Sequence, residues 1–157
     1  MQIEARPATE ADIAILCALA EAGIAELAPL HGGDIWSRLG ARTAPFEADF
    51  AAAVADPDRL VLVGTIDQIV VGYAAADEVE LHDSEHLCDL TDIFVLSEAR
   101  GVGVGEELLK LAIDWCGSRG IVGIDSTTLP GDRATKNFFE TFGLVARSLT
   151  VHRRLQQ

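Results

Sequence analysis

The residues best suited to bind an anion form the glycine-rich segment Arg100–Gly105, which follows an apolar run that ends at Val95. Glycines at positions 101, 103 and 105 alternate with valines, and an amphipathic pattern typical of a helix starts at Val104. The first N–H groups of a helix have no acceptor within it, the helix dipole is positive there, and glycine lets an anion approach the main chain closely. The segment therefore predicts a binding site for a phosphate or pyrophosphate group, with a glycine-rich turn that binds nothing as the alternative.

The spacing of these glycines does not match two common nucleotide-binding loops. A dinucleotide-binding G-x-G-x-x-G motif starting at Gly101 requires glycine or alanine at Glu106, and one starting at Gly103 requires it at Leu108. A Walker loop requires the sequence G-K-[ST], which the chain does not contain. Both motifs are therefore excluded as explanations of the segment.

A second segment with chemical potential runs from residue 77 to residue 92 and is strongly acidic. It holds seven carboxylates and no lysine or arginine, a pattern that attracts cations, although a solvated hairpin is the alternative interpretation. His82, His86 and Cys88 lie in the same segment, but no fourth residue at a plausible spacing completes a metal site, so we predict no bound metal. The seven carboxylates are Asp77, Glu78, Glu80, Asp83, Glu85, Asp89 and Asp92.

Composition and charge exclude several classes of protein. The 157 residues carry a formal net charge of −13 and are 49% hydrophobic, which predicts an acidic globular domain and disfavours binding to nucleic acid. No apolar run approaches the roughly 20 residues of a membrane-spanning helix. The first six residues show no secretion signal, and the cysteines at positions 17, 88 and 116 form no C-x-x-C pair, so we expect a cytoplasmic protein with free thiols.

Hydrophobic periodicity predicts the elements that position these residues. Apolar residues at helical spacing predict four helices, and β-branched runs predict a short strand near Ile3 and five longer strands. The segment His31–Ala44 is predicted to be irregular, and the order of elements indicates one mixed α/β domain over residues 1–157. The predicted helices are Ile13–Leu27, Pro45–Val54, Val104–Gly117 and Asp132–Phe142, and the predicted strands are Leu60–Ile66, Ile69–Ala76, Cys88–Val95, Ile121–Thr128 and Val145–Leu155.

Local signals predict two junctions between these elements. Thr9 and Asp12 stand three residues apart, as in a capping box at a helix start, with aspartate in place of the preferred glutamate. Asp67-Gln68 lies between two predicted strands and indicates a tight hairpin.

The strand that ends at Val95 changes phase part-way along its length. Cys88 and Leu90 alternate in one phase, whereas Ile93 and Val95 alternate in the other, so the phase slips at Thr91-Asp92. Because side chains alternate between the two faces of a sheet with a period of two, a slip inside one strand indicates a β-bulge. Bulges re-aim backbone groups beside functional sites, so we expect the functional site here.

Three stretches of the sequence together resemble one family. After the slipped strand, Arg100, Gly103 and Gly105 match a motif of arginine or glutamine, two residues, glycine, one residue, and glycine or alanine. Arg6–Thr9 looks like the same family's first strand and helix start, and Asp132–Gly143 looks like its last motif. On these residues the chain resembles the GCN5-related N-acetyltransferase (GNAT) family over essentially its whole length. The resemblance implies the GNAT, or acyl-CoA N-acyltransferase, fold: an α/β protein with a mixed, mostly antiparallel sheet, a bulged central strand and flanking helices.

The resemblance implies acetyl-CoA as co-substrate and assigns residues to it. In this family the pyrophosphate lies on the amides of the glycine segment, and the pantetheine arm pairs with the strand backbone in a slot that the bulge opens. Arg133 and Lys136 are candidate partners of the CoA 3′-phosphate, while Asp132 stands where asparagine is more usual. The implied cofactor-binding residues are Ile93, Phe94, Val95, Arg100, Gly101, Val102, Gly103, Val104, Gly105, Asp132, Arg133, Lys136 and Phe139.

The resemblance also implies a reaction in which an amine attacks the thioester directly while a carboxylate takes the proton of the amine. Asp89 matches a glutamate that is frequent in the family and Asp92 is the second candidate, so both are implied catalytic residues; a solvated carboxylate is the alternative for each. A tyrosine often protonates the leaving thiolate, but this chain has Phe139 at that position. The remaining proton donors are Ser126, Thr127, Thr128 and water.

The resemblance thus implies an N-acetyltransferase that acts on a primary amine, either a small cationic amine or an amino group of a peptide or protein. Two other classes stay open: a non-catalytic acyl-CoA-binding or regulatory module, which Phe139 favours, and an interaction subunit with an empty slot. We expect no nucleic-acid or membrane partner, and a homodimer is a possible assembly. Trp36, with His31 and Phe46, is a candidate wall of the acceptor pocket, or else covers the core.

Overall fold

A five-stranded sheet forms the centre of the protein, whose computed structural model describes residues 1–155. The strands lie in the order β1-β2-β3-β4-β5, and all neighbours are antiparallel except β4 and β5, which are parallel. The predicted mixed, mostly antiparallel sheet is therefore confirmed. The strands are β1 Ile3–Pro7, β2 Arg59–Ile66, β3 Ile69–Glu80, β4 His86–Val95 and β5 Gly123–Ser126.

Helices cover both faces of this sheet. Leu16 of the first helix and Phe50 of the third pack on one face against Val63 and Tyr73. On the opposite face, the fourth helix contributes residues such as Leu108 to a second cluster. The helices are α1 Ile13–Leu27, α2 Gly33–Leu39, α3 Phe46–Ala55, α4 Val104–Ser118 and α5 Arg133–Thr141, with 3₁₀ turns at Glu10–Asp12 and Ser97–Ala99.

The predicted bulge in β4 is present. Asp92 lies opposite Ala75 of β3 and Leu90 lies opposite the next residue, Ala76, so Thr91 is the extra residue of β4. The parallel pairing with β5 ends at Leu90, which faces Ser126 of β5. Beyond the bulge, β4 therefore keeps its β3 neighbour but has lost its β5 neighbour.

The start of the first helical segment is tied to β1 by charge. Thr9 and Asp12 form the predicted capping box, and the Asp12 carboxylate accepts the backbone N–H of Thr9 at 2.8 Å. Arg6 of β1 donates two hydrogen bonds to the same carboxylate, at 2.8 and 3.0 Å. The Arg6 guanidinium thereby lowers the pKa of the buried Asp12.

The hairpin predicted at Asp67-Gln68 also forms. Both residues have positive φ, +48° and +71°, which is the backbone of a two-residue turn whose twist matches that of the flanking strands. This turn joins β2 to β3 and sets their register as far as Thr65 and Val70, beyond which it shifts by one residue.

The segment predicted to be irregular contains a helix, so this prediction is wrong. Gly32, at φ +86°, is the N-cap of α2, and Gly33 packs so closely on α1 that a Cβ atom would lie 2.1 Å from the carbonyl oxygen of Leu27. A five-residue turn, residues 28–32, therefore separates α1 from α2, and Gly33 begins α2 in close contact with the end of α1. This places Trp36 beside α1.

The last predicted strand is also wrong. Residues 144–155 form no helix or strand, and Val145, Leu149, Val151 and Leu155 are 77, 88, 91 and 84% exposed. The alternating pattern suits a strand, but a strand also needs a neighbour to pair with its backbone. Residues 145–155 form no backbone hydrogen bond to a described strand.

Candidate active site

The glycine segment has the backbone geometry of an anion site. Gly101 and Gly103 have φ values of +82° and +108°, which L-residues with side chains rarely adopt. α4 begins directly after Gly103, and its first helical hydrogen bond runs from the amide of Glu107 to the carbonyl of Gly103 at 3.1 Å. The preceding amides of Val104, Gly105 and Glu106 donate to no backbone or side-chain acceptor within residues 1–155.

Arg100 is turned towards the protein. Its Nε donates to the carbonyl of Val95 at 2.8 Å, its Nη2 contacts the Glu26 carboxylate of α1 at 2.7 Å, and its guanidinium lies 5.4 Å from the Phe94 ring centroid. The side chain thus fixes the end of β4 relative to α1 and the glycine segment.

The backbone of Ile93, Phe94 and Val95 forms the free side of β4. These residues face Ala74, Tyr73 and Gly72 of β3, respectively, and have no partner on β5. Apart from the carbonyl of Val95, which accepts from Arg100, the N–H and C=O groups on that side are therefore available to an extended ligand, in the manner of an added strand.

A cavity of about 70 Å³ lies beside the bulge, and we call it the central cavity. It is bounded by α1, α2, the bulge, the end of β5 and α5. Its lining includes Trp36, Tyr73, Asp92, Ile93, Phe94, Ser126, Thr127, Thr128, Asp132 and Phe139. A wider polar basin of about 390 Å³ adjoins it and shares Arg42, Thr91 and Asp92 with it.

Asp92 lies in both spaces and is held by three side chains. Arg42 donates to it through Nη2 at 2.9 Å and Nε at 3.3 Å, Tyr73 donates its hydroxyl at 2.6 Å, and Thr91 donates at 2.6 Å. No oxygen of Asp92 can receive a proton from a substrate unless one of these hydrogen bonds is broken or shared. This arrangement fixes the conformation of the bulge.

Asp89 has different surroundings. It lies opposite Asp77 of β3 and Asp125 of β5 and is half-buried, and its side chain makes no hydrogen bond or ion pair within the described chain. Burial raises the pKa of its carboxyl, and the charges of Asp77, Asp125 and Asp92 raise it further. Asp89 does not line the central cavity, so the bulge separates the two predicted bases.

Arginines neutralise much of the acidic segment. Arg59 donates to Asp77 at 3.0 Å, and Arg119 donates to Glu78 at 3.3 and 3.2 Å. Because Arg42 pairs with Asp92 in the same way, Asp89 is the inward carboxylate of this segment that keeps no cationic partner among residues 1–155.

Several of the residues predicted to bind the cofactor lie in or next to α5. Phe139 is buried and lines the central cavity, so a phenyl ring occupies the position of the expected proton donor. Asp132 caps α5 by accepting the backbone N–H of Thr135 at 3.3 Å. Lys136 pairs with Glu140 at 3.0 Å, and Arg133 is exposed with no contact to a described charged group.

The hydroxyl groups near Phe139 differ in their availability. Ser126 donates to the carbonyl of Leu90 at 2.9 Å. Thr127 and Thr128 line the central cavity, and neither side chain forms a hydrogen bond within residues 1–155.

Sequence reasoning missed Arg42 and Tyr73. Arg42 lies 50 residues from Asp92, so no local pattern connects the two. Tyr73 carried a signal, because a tyrosine within an apolar strand must find a partner for its hydroxyl. Trp36 lines the central cavity as suggested, whereas His31 and Phe46 do not.

Metal and membrane features are absent from the described part of the chain. Residues 1–155 contain no group of three or more His, Cys, Asp or Glu side chains that is arranged to hold a metal ion. Within the same range, every helix is too short or too polar to cross a membrane.

Comparison with known proteins identifies the family. The sequence model of a protein family, described as the Acetyltransferase (GNAT) family, matches residues 29–144 of this chain. The matched residues include the bulge, the glycine segment and α5. The chain belongs to the GNAT family. It is therefore a GNAT acetyltransferase, and the expected fold and family are confirmed.

Solved structures share this GNAT fold at low sequence identity. AAC(6′)-Iy, in complex with the bisubstrate analogue CoA-S-monomethyl-acetylneamine, superposes with a TM-score of 0.76 at 18% identity, covering 100% of both chains. An aminoglycoside acetyltransferase, HMB0005, from an uncultured soil metagenomic sample gives 0.72 at 17% identity, covering 99% of this chain and 100% of that one. Ribosomal-protein-alanine N-acetyltransferase from Brucella melitensis biovar Abortus 2308 gives 0.71 at 13%, with coverage of 99 and 100%. No curated protein matches the sequence significantly.

Proposed function

We propose that this GNAT acetyltransferase transfers an acetyl group from acetyl-CoA to a primary amine by direct attack in a ternary complex. The observation that carries the proposal is the continuity of two unpaired backbone surfaces. The free side of Ile93–Val95 leads, through the glycine segment, to the free amides at the start of α4.

The residues present fit acetyl-CoA. The amides of Val104, Gly105 and Glu106, with the positive φ values before them, suit a pyrophosphate, and Ile93–Val95 suits the amide groups of a pantetheine arm. The ring of Phe138 would lie only 3.4 Å from a Cβ atom at Gly105, so α5 adjoins the glycine segment and can present Arg133 and Lys136 to the 3′-phosphate. When bound, acetyl-CoA supplies the acetyl group as a thioester.

A cationic amine is the acceptor that the electrostatics favour. Asp89 has no cationic partner among the described residues and lies near three other carboxylates, so its ionised form attracts an ammonium group and can accept its proton. Because Asp89 does not line the central cavity, we propose that the proton reaches it through a water molecule. Asp92 then acts by holding the bulge.

The leaving thiolate has no acidic side chain beside it, since Phe139 cannot donate a proton. Thr127, Thr128 or water remain as donors. A thiol with a pKa of about 8.5 is a tolerable leaving group even without full protonation, so Phe139 is compatible with turnover.

A non-catalytic acyl-CoA-binding module is the second candidate, and Phe139 favours it. The two candidates share the binding surface and differ only in whether the amine is acetylated.

Calorimetric titration with acetyl-CoA tests the shared surface. We expect binding in the wild type, binding weakened at least tenfold in Gly103→Val because the backbone at φ +108° is strained, and unchanged binding in Gly117→Ala, a glycine of α4 with open space around it. Absence of binding to the wild type would refute both candidates. Thiol release from acetyl-CoA across a panel of amines then separates them, since binding without turnover on any amine favours the second.

A further inference from the structure

The extra residue of the bulge, Thr91, lines both the central cavity and the polar basin beside it. Arg42 and Asp92 also line both spaces, but they pair with each other through hydrogen bonds of 2.9 and 3.3 Å. Of these three residues, Thr91 is the one whose side chain forms no ion pair. Its hydroxyl is therefore the neutral polar group at the junction of the two spaces.

This hydroxyl can accept a further hydrogen bond but cannot donate one. Its single hydrogen lies within reach of two acceptors, the Asp92 carboxylate at 2.6 Å and the carbonyl oxygen of Ala75 at 3.2 Å. No donor among residues 1–155 forms a hydrogen bond to its oxygen. A water molecule beside Thr91 therefore gives it a hydrogen rather than receiving one.

Asp89 lies on the same face of the sheet as Thr91, at the margin of the basin. It stands directly opposite Asp77, which lines the basin, and opposite residues of antiparallel strands project to the same face. Asp89 and Thr91 are two positions apart on β4, which is about 7 Å along an extended strand. One water molecule with hydrogen bonds of about 2.8 Å can bridge two side chains at this spacing.

The basin is suited to hold this water molecule. Its volume of about 390 Å³ is many times the roughly 30 Å³ that one water molecule occupies in the liquid, and charged and hydroxyl side chains form most of its wall. An ordered water molecule needs about two to four polar partners. The Asp89 carboxylate, the Thr91 hydroxyl and the amine of the acceptor provide them.

From this geometry we infer that Thr91 is a positioning residue, which orients the water molecule that carries the amine proton to Asp89. The water donates one hydrogen to the Thr91 oxygen and the other to Asp89, so its lone pair faces the amine in the central cavity. As the amine nitrogen bonds to the acetyl carbonyl carbon, its proton passes to the water and a proton of the water passes to Asp89. The C–S bond then breaks, and its electron pair leaves with the thiolate. The inference rests on the proposed acetyl transfer with Asp89 as base.

Steady-state kinetics of isosteric variants tests the hydroxyl, with acetyl-CoA and the primary amine that the wild type acetylates fastest. We expect Thr91→Val to lower kcat by about 10 to 100-fold, because the water loses the partner that orients it. Its calorimetric affinity for acetyl-CoA should stay at the wild-type value, which also shows that the fold is retained. Thr91→Ser keeps the hydroxyl and should turn over at nearly the wild-type rate. The matched control, Thr43→Val, makes the same change at an exposed residue of the basin wall between α2 and α3 and should leave kcat unchanged.

Three results of these measurements would overturn the inference. One is wild-type turnover in Thr91→Val, and another is turnover in Thr91→Ser that is as slow as in Thr91→Val. The third is a loss of acetyl-CoA affinity in Thr91→Val as large as its loss of kcat, because the hydroxyl would then act by holding the bulge for the cofactor.

A double-mutant cycle with Asp89→Asn separates this role from a purely structural one. The double variant should turn over no more slowly than Asp89→Asn alone, because the oriented water then has no base to receive its proton. Two losses that multiply would show that Thr91 acts independently of Asp89 and would contradict the inference.

The same cycle distinguishes this inference from the proposed function on which it rests. Slow turnover in Asp89→Asn with wild-type turnover in Thr91→Val contradicts the role of Thr91 alone. Wild-type turnover in Asp89→Asn, or a wild type that acetylates no amine, contradicts the proposed function and the inference with it.

Discussion

Asp89 combines a disfavoured charge with a proposed role in proton transfer. Because burial and neighbouring carboxylates raise its pKa in the folded state, the ionised form opposes folding at neutral pH, and the protein gains stability as the pH falls through that raised value. A base with this property must also be deprotonated to act. Stability and activity should therefore respond to this carboxylate in opposite directions.

We predict that Asp89→Asn lowers kcat/KM by about 10² to 10⁴-fold and raises the urea midpoint at pH 7. The acid limb of the wild-type pH profile, which lies above the ordinary aspartate value of 3.8, should disappear in the variant. Glu80→Gln, an exposed change at the end of β3, is the control and should leave rate and profile unchanged. An unaltered rate in Asp89→Asn would reject the base assignment.

Residue types and local spacing were enough to predict the unusual backbone of the glycine segment but not the hydrogen bonds around Asp92. The left-handed backbone of Gly101 and Gly103 can be predicted from the residue type, because few other residues accept φ values near +82° or +108°. The hydrogen bonds of Asp92 with Arg42 and Tyr73 join residues 50 and 19 positions away. Such contacts depend on the packing of elements, which no local pattern encodes.

At the scale of elements, two glycines near the end of α4, Gly117 and Gly120, have different backbone conformations. A Cβ atom added at Gly117 would meet no neighbouring atom within 4 Å, and the φ of this residue is not positive, whereas Gly120 has φ +67° just after the helix. The amide of Gly120 hydrogen-bonds the carbonyl of Gly117 at 3.4 Å, as in a helix cap.

Gly117→Ala should stabilise the protein by about 0.5–1 kcal/mol because alanine restricts the unfolded chain and favours the helix. Gly120→Ala should destabilise it by about 1 kcal/mol because the left-handed backbone is strained by a Cβ atom. Urea unfolding of both variants measures the difference. The explanation fails if the two substitutions shift the midpoint in the same direction.

Helices, strands and bulges could be predicted where the pattern that indicates them lies within a single segment of the chain. The phase slip in β4 predicted the bulge because alternation is a property of a single strand. α2 was missed because its N-cap, Gly32, and its first residue, Gly33, are residues that more often mark a loop than a helix. Residues 145–155 were predicted as a strand because their apolar residues alternate, but alternation within one segment does not show whether its backbone pairs with another strand, and here it does not.

In the molecule as a whole, the few basic side chains connect helices and strands whose acidic residues would otherwise repel one another. The chain has 12 basic and 25 acidic residues. Arg42, from the segment after α2, joins Asp49 of α3 to Asp92 of β4 and lies 4.2 Å from the Phe50 ring centroid. Its side chain is 7% exposed, and its loss would leave Asp92, 13% exposed, without a cation, whereas Asp49 would keep Arg59.

Arg42→Ala should therefore lower the free energy of unfolding by about 3 kcal/mol. The matched change Arg38→Ala removes an exposed ion pair with Asp34 and should cost less than about 1 kcal/mol. Equilibrium unfolding in urea compares them directly. Similar small losses in both variants would show that the buried arginine is not needed to hold the sheet to α3.

The placement of the two tryptophans gives the protein an optical reporter. Trp36 borders the central cavity, while Trp115 lies on α4 under the guanidinium of Arg119, 4.9 Å from its ring centroid. With Trp115→Phe, the remaining indole emission comes from Trp36 alone. Quenching or a spectral shift on adding an amine would then report occupancy of the cavity in real time, without a coupled assay or a chemical label.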